Sequence, residues 1–248
     1  MKKILIIGAC SAIAQETAKC FAKEGADLYL VDLKTERLEA VRLDIIARTP
    51  GANLKIEIDT LDVNEFDKHK INFYRAADKL NGIDSVLIAH GTLADQAVSQ
   101  NNSELIIKEF NTNCVSVISL ASIAANYFEE RKTGTIAVIS SVAGDRGRQS
   151  NYIYGSAKGG VSIFLQGLRN RLSGSGVKVI TIKPGMVDTP MTAQMPKGVL
   201  FSSAETVGKG IYEAMTKGKD IAYIPGYWRL IMFVIKHIPE SIFKKLHL

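Results

Sequence analysis

Lys3-Ile4-Leu5-Ile6-Ile7-Gly8-Ala9-Cys10-Ser11-Ala12-Ile13-Ala14 carries a short apolar run through one glycine into a segment with helical periodicity. An unbroken run of Ile and Leu suits a strand buried on both faces, and such strands belong to parallel sheets. The same alternation continues outward from this segment. Strands are predicted over 3–8, 27–32, 53–59, 85–89, 135–140, 178–183 and 220–224. Helices are predicted near 11–24, 35–48, 63–80, 103–130, 152–173 and 204–217. Turn-forming residues separate them: Pro50-Gly51, Asn81-Gly82 and Ser173-Gly174-Ser175-Gly176. Seven strands with helical crossovers imply an α/β fold, a doubly wound parallel sheet with helices on both faces.

The whole chain agrees with that reading. Its 248 residues, 46% of them hydrophobic, suit one α/β domain with a sizeable core. Cys10, Cys20 and Cys114 are odd in number and form no C-x-x-C pair, so neither a disulfide framework nor a metal site is expected. A reducing, cytoplasmic compartment follows. Met1-Lys2-Lys3 before Ile4 to Ile7 imitates a secretory leader, but the apolar run falls short of the roughly 7–15 residues such a leader needs. The later run from Leu230 to Ile235 is far below the roughly 18 residues that span a bilayer. The net charge of +6 does not by itself make a nucleic-acid surface, because the basic residues cluster only near the carboxyl end.

In a doubly wound sheet, ligands bind beyond the carboxyl ends of the strands. The turn from Gly8 through Ser11, Ala12 and Ile13 lies there, where backbone N–H groups and a helix dipole can face a pyrophosphate. Ala12 and Ala14 stand where two further glycines are usual, so those sites must accept ordinary dihedrals. Asp32 ends the second strand 24 positions after Gly8, near the roughly 20-residue offset of a ribose-binding carboxylate. A carboxylate accepts from both ribose hydroxyls and repels a 2′-phosphate. NAD is therefore preferred, with NADP the alternative because Lys34 follows closely. Asp62 and Val63, after the third strand, are candidates for the adenine amino group.

Tyr154 and Lys158 are four residues apart, on one face of the predicted helix. A fixed cation near a phenol stabilises the phenolate and fits it for acid–base work. Ser141 ends the fifth strand 13 residues before Tyr154, placing a hydroxyl for a substrate oxygen at the same edge.

Gly8, Asp32, Ser141, Tyr154 and Lys158 together resemble the short-chain dehydrogenase/reductase family over about residues 3–224. The resemblance implies a single Rossmann-like domain over residues 1–224, with a cofactor half of about 1–100 and a catalytic half of about 101–224. It implies hydride transfer between nicotinamide and a ketone or secondary alcohol, with Tyr154 exchanging the proton. Lys158 would lower the Tyr154 pKa and hold the ribose. Asn113 matches the family's helical asparagine, with Asn111 the competing assignment. Pro184, Gly185, Val187 and Thr189 match the segment that contacts the nicotinamide carboxamide. Ala89, His90 and Gly91 depart from the family's usual Asn-Asn-Ala-Gly and would line the ribose; for His90, packing with ribose contact is preferred to proton transfer. A homodimer or homotetramer is implied.

The tail, 225–248, is read as helical and mixes Trp228, Phe233 and Ile242 with Arg229, Lys236, Lys244 and Lys245. Packing on the cleft or on a partner subunit is expected; peripheral contact of 226–248 with the inner membrane surface is the other reading. Residues 88–96, the Tyr154–Lys158 context and this tail resemble weakly the branch that reduces polyprenyl-phosphate-linked keto-sugars. Against catalysis stands one alternative, a non-catalytic NAD(H)-binding sensor or assembly protein, prompted by the altered 8–14 and 88–91 segments.

Overall fold

The computed structural model describes residues 2–246; Met1, His247 and Leu248, the extremes of the expected domain and tail, lie outside them. The chain runs through β1 (Lys3–Ile7), α1 (Ala12–Lys23), β2 (Asp27–Asp32), α2 (Thr35–Arg48), β3 (Ile56–Thr60), α3 (Lys68–Leu80) and β4 (Ser85–Ile88). There follow α4 (Gln96–Ser99), α5 (Ser103–Phe110), α6 (Ser116–Arg131), β5 (Gly134–Ile139), α7 (Tyr152–Leu172), β6 (Val177–Pro184), β7 (Val187–Asp188) and β8 (Ser202–Ser203). The last elements are α8 (Ala204–Lys217), β9 (Ile221–Ile224), α9 (Trp228–His237) and α10 (Glu240–Phe243).

Seven strands form one parallel sheet in the order β3-β2-β1-β4-β5-β6-β9, the Rossmann-like arrangement expected of the sequence. The side-chain period of two divides β1 between two cores. Ile4 and Ile6 pack with Ala14 and Phe21 of α1, Leu38 and Ile45 of α2, and Val207 and Ile211 of α8. Leu5 and Ile7 pack with Phe73 of α3, Leu120 and Phe128 of α6, and Val161 and Leu165 of α7. Both faces of the sheet are thus covered by helices.

Several elements differ from the sequence reading. β3 begins at Ile56 rather than 53, because its pairing with β2 starts at Leu28↔Ile56. α3 begins at Lys68 rather than 63, since Asp62 Oδ1 accepts from the Asn64 amide at 2.9 Å and closes a turn. The helix predicted over 103–130 is broken by a π-helical turn, Asn111–Val115, whose extra residue buries Thr112, Asn113 and Cys114 together. β7 and β8 pair in a separate two-stranded ribbon after β6.

The tail helix α9 packs on the protein through Trp228 and Met232, which join Val142 in a small third core. Behind that contact, Lys183 at the end of β6 is ion-paired with Asp145, and both side chains are nearly inaccessible. The Tyr223 hydroxyl of β9 donates to Asp145 Oδ2 at 2.6 Å. One carboxylate therefore ties the 145–151 loop to two strands. Asp145→Ala would leave a buried ammonium and a hydroxyl unpartnered, and should lower stability by about 3 kcal/mol in a urea titration. A loss of less than about 1 kcal/mol would mean that the pair is solvated and of little weight.

Candidate active site

Because the seven strands are parallel, their carboxyl ends share one edge, and the residues singled out from sequence gather along it. Gly8 has φ of +84°, and a methyl group there would stand 2.4 Å from the His90 amide nitrogen. Only glycine fits. Ala12 and Ala14 already belong to α1, which explains why alanine is tolerated at both. Ser11 caps the helix, its Oγ accepting from the Ala14 amide at 3.2 Å. Among the described residues the Ala12 and Ile13 amides have no partner. Two free N–H groups at a helix N-terminus, over a turn without side-chain bulk, fit the pyrophosphate of a dinucleotide.

Asp32 Oδ2 accepts from the Cys10 amide at 2.8 Å and Oδ1 from the Leu33 amide at 2.8 Å. The carboxylate thereby fixes the turn and keeps lone pairs for ribose hydroxyls. Burial pushes the Cys10 thiol up to about 12, the Asp32 charge adding to it and Arg37 opposing. Arg37, in the first turn of α2, is thus close enough to act on this corner, a basic residue the sequence reading passed over.

The remaining nucleotide-side candidates line the adjoining strand ends. Asp62 has one oxygen engaged by Asn64, and the Val63 carbonyl is bonded to His69 Nε2 at 3.0 Å. The Ala89 amide donates to Ile7 O at 2.7 Å. His90 pairs through Nε2 with Ser116 Oγ at 2.8 Å, while its Nδ1 is buried with no partner among the described residues. Burial, with Lys158 nearby, holds the His90 imidazole down at about 3, so the ring is neutral at physiological pH. That orphaned nitrogen is a second feature that fits a ribose hydroxyl.

At the reacting end, Tyr154 and Lys158 sit one turn apart on α7, with the Lys158 Nζ 5.8 Å from the Tyr154 ring centroid. Lys158 is 2% exposed, and its Nζ donates to Ile139 O at 3.0 Å. Its own carbonyl accepts from Ser140 Oγ at 3.0 Å and Ser162 Oγ at 2.9 Å, fixing the helix against β5. Burial pulls the ammonium down to about 8, with Cys114 and Glu109 opposing. Ser141 Oγ accepts from the Ala143 amide at 3.1 Å, and its hydroxyl lies near enough to the Tyr154 phenol to act on it.

The expected lowering of the Tyr154 pKa by Lys158 is not found in the free protein. Burial pushes the phenol up to about 12; the nearby Ser141 hydroxyl pulls against it and the Glu109 charge adds to it. The ammonium is spent on the Ile139 carbonyl and the ring lies in a desolvated site.

Asn113, in the π-helical turn, is wholly buried, whereas Asn111 is half-buried. Asn113 Oδ1 accepts from the Thr92 amide at 3.0 Å, and its Nδ2 donates to Thr92 Oγ1 at 3.1 Å and Glu109 Oε2 at 3.2 Å. Glu109 is the second residue missed from sequence, where its place in a helix with Lys108 gave no sign of burial. A methyl group at Gly91 would lie 2.7 Å from Asn113 Oδ1 and 3.4 Å from Lys158 Nζ, so that backbone borders both groups.

Pro184 ends β6, and Gly185 lies beneath the Trp228 indole, where a Cβ would fall 1.8 Å from Nε1. The tail therefore sets the path of the segment meant for the nicotinamide. Val187 is buried in β7, its carbonyl accepting from Thr192 Oγ1 at 2.6 Å, and the Thr189 amide donates to the same hydroxyl at 3.3 Å.

Residues 2–199 match the family model of the short chain dehydrogenases, and the chain belongs to that family of NAD(P)-dependent oxidoreductases. It is 30% identical over 249 residues to an uncharacterized oxidoreductase of Streptomyces coelicolor encoded in the mprA 5′ region, covering 99% of this chain and 96% of the relative. Its fold is similar to that of levodione reductase, with a TM-score of 0.83 at 20% identity, covering 92% of this chain and 98% of the other. It is similar also to a short-chain dehydrogenase from Sphingobium yanoikuyae in complex with NADPH, with a TM-score of 0.81 at 22% identity, covering 97% and 98%.

Gly8→Ala forces a side chain against the His90 backbone at a positive φ, a strain of about 1–3 kcal/mol. It should weaken NADH binding about tenfold or more by nicotinamide fluorescence, whereas Ala12→Gly should leave it nearly unchanged. Unaltered binding in Gly8→Ala would place the pyrophosphate elsewhere.

Proposed function

We propose that the chain reduces a ketone to a secondary alcohol with NADH, its residues 1–224 acting as one domain. The observation that carries this reading is the Tyr154 phenol, near the Ser141 hydroxyl and one helical turn from the buried Lys158, on the edge that also bears the Gly8–Ile13 turn. The nicotinamide, when bound, supplies the hydride to the carbonyl carbon. Ser141 steadies the carbonyl oxygen. Tyr154 gives it a proton, a task for which a phenol held near 12 is fully protonated at neutral pH. Lys158 offsets the negative charge left on the phenolate oxygen and borders the ribose. Asn113 holds the Gly91–Ala94 backbone against this group. Nothing in the site favours a non-catalytic role.

The roles assigned to Asp32 and the 184–189 segment rest on the same fit. Asp32 accepts from the ribose and disfavours a 2′-phosphate; Lys34 and Arg37 act in the opposite sense. Nicotinamide fluorescence titration should therefore show tighter binding of NADH than of NADPH, and the reverse order would overturn the role of Asp32. Tyr154→Phe should lower turnover on a ketone panel by roughly 10²–10⁴-fold while NADH binding stays near wild type. Retained activity in that variant would sink the assignment. In the wild type, the reduction rate should stay level up to pH about 8 and fall above it as Lys158 loses its proton, while alcohol oxidation rises with pH.

The substrate edge points to an apolar, lipid-linked ketone of the keto-sugar kind. Met186, Met191, Met195 and Val199 are exposed beside the cleft, and the Tyr227 hydroxyl donates to Leu200 O at 3.3 Å, joining this segment to the tail. On α9, Leu230, Phe233 and Val234 are exposed, and Leu230 and Phe233 border, with Arg229 and Lys236, a groove of about 450 Å³. An apolar helix face flanked by basic residues suits an anionic membrane surface. No helix of the described residues is long and apolar enough to cross a membrane, so the contact is peripheral. Deleting 226–248 would strip Trp228 from Gly185 and spoil the site, so surface changes are the better test. The wild type should co-sediment with phosphatidylglycerol vesicles, and Leu230→Ser with Phe233→Ser should abolish it; a wild type that stays in solution would contradict the membrane reading. The three free cysteines accord with a cytoplasmic setting, and the exposed Ile107, Val115 and Ile163 on α5, the π-helical turn and α7 suit a homodimer or homotetramer.

A further inference from the structure

Glu109 is 5% exposed, and among the described residues no cation lies within ion-pair distance of it. Every neighbour that touches its carboxylate is a donor. Thr92 Oγ1 donates to Oε1 at 2.7 Å, the Ala94 amide to Oε2 at 3.3 Å, and Asn113 Nδ2 to Oε2 at 3.2 Å. The Thr92 hydroxyl also accepts from Asn113 Nδ2, which closes a small network around Glu109. Three donors converging on one buried carboxylate is an arrangement suited to holding an anion. Burying such a charge is costly unless something nearby gains from it. The beneficiary lies across Gly91, where Asn113 Oδ1 and Lys158 Nζ face the same backbone.

We propose that Glu109 is a positioning residue of the reaction centre: it holds the Asn113 amide and the Thr92–Ala94 backbone in place, and supplies the buried negative charge that faces Tyr154 and Lys158. The inference rests on the reading of that pair as the proton-transfer group. Its arrangement is directional. Glu109 grips Asn113 by Nδ2, which leaves Oδ1 for the Thr92 amide and fixes the turn of α5 into the π-helical segment. Asn113 could otherwise present either end of its amide. The charge of Glu109 acts on both members of the pair in one sense, raising the Lys158 ammonium and the Tyr154 phenol alike. It thus opposes the desolvation of Lys158 and keeps a proton on Tyr154, as a reductase requires. The other groups facing Lys158 are Cys114, the neutral His90 and the Ile139 carbonyl. None of these carries a charge at neutral pH, so Glu109 has no substitute.

The test needs no substrate. ζ-¹⁵N-lysine NMR of the full chain, with the Lys158 signal assigned by its loss in Lys158→Met, reads the titration of that ammonium directly. In the wild type the midpoint should lie near 8. Glu109→Gln should lower it by on the order of one pH unit, and Glu109→Asp, which keeps the charge, should restore most of that shift. Should the amide variant fold poorly, Glu109→Met, apolar and of similar length, carries the same expectation. A midpoint equal to wild type in the neutral variants, or a Glu109→Asp value no better than Glu109→Gln, would show that the residue is only a packing element. Failure of the enzyme reading would be seen separately, as an inactive wild type with a normally shifted lysine.

Discussion

Burying the Lys158 ammonium at the carboxyl edge of a parallel sheet is the constraint on which the rest of the site depends. A lone cation taken out of water is costly, and the protein offsets the cost by geometry. The Ile139 carbonyl, freed where β5 ends, accepts from the ammonium, and the Lys158 carbonyl is held by the Ser140 and Ser162 hydroxyls. With α7 locked in this way, Tyr154 one turn earlier must face Ser141, the next residue along the strand end. Spacing in sequence and pitch in structure are then the same fact: four residues on a helix, and a serine just beyond the strand it packs against.

The proposed nucleotide edge is organised by a different device, one carboxylate that shapes the turn and is proposed to meet the ribose. Asp32 bonds the Cys10 amide and so shapes the turn that leaves Ala12 and Ile13 with free N–H groups. Removing it would disturb the turn as well as the proposed ribose contact, so a change of nucleotide preference sought at this position would bring a change of turn geometry with it. The tail plays a comparable double part. Trp228 presses on Gly185 and Met232 on the segment after Ser141, so α9 shapes the floor of the site with one face while its opposite face stays exposed.

Much of this was legible in the sequence because it obeys strict periods. Most of the strands stand out as apolar runs, and Gly8, Asp32, Ser141, Tyr154 and Lys158 sit at strand ends or one helical turn apart. What was hidden depends on residues whose surroundings come from distant parts of the chain. Glu109 reads as one more charged helical position beside Lys108, and only the π-helical turn, which has no periodicity of its own, swings it inward. The third strand was read from Asn53, but its pairing with β2 starts only at Ile56. Arg37 looks like surface charge until β2 and α2 bring it to the Asp32 corner. The raised phenol is a collective effect of burial, and no local pattern encodes it.

Whether nucleotide and proton donor meet at one edge of the sheet, as proposed, is tested most directly by a crystal structure of the chain with NADH bound. The pyrophosphate should lie against the Ala12 and Ile13 amides, the adenine ribose on Asp32, and the nicotinamide between Val187 and Tyr154. Its C4 should lie so that a carbonyl carbon roughly 3–3.5 Å away puts its oxygen on the phenol and Ser141. A dinucleotide bound away from the Gly8 turn, or a nicotinamide turned from Tyr154, would contradict the account.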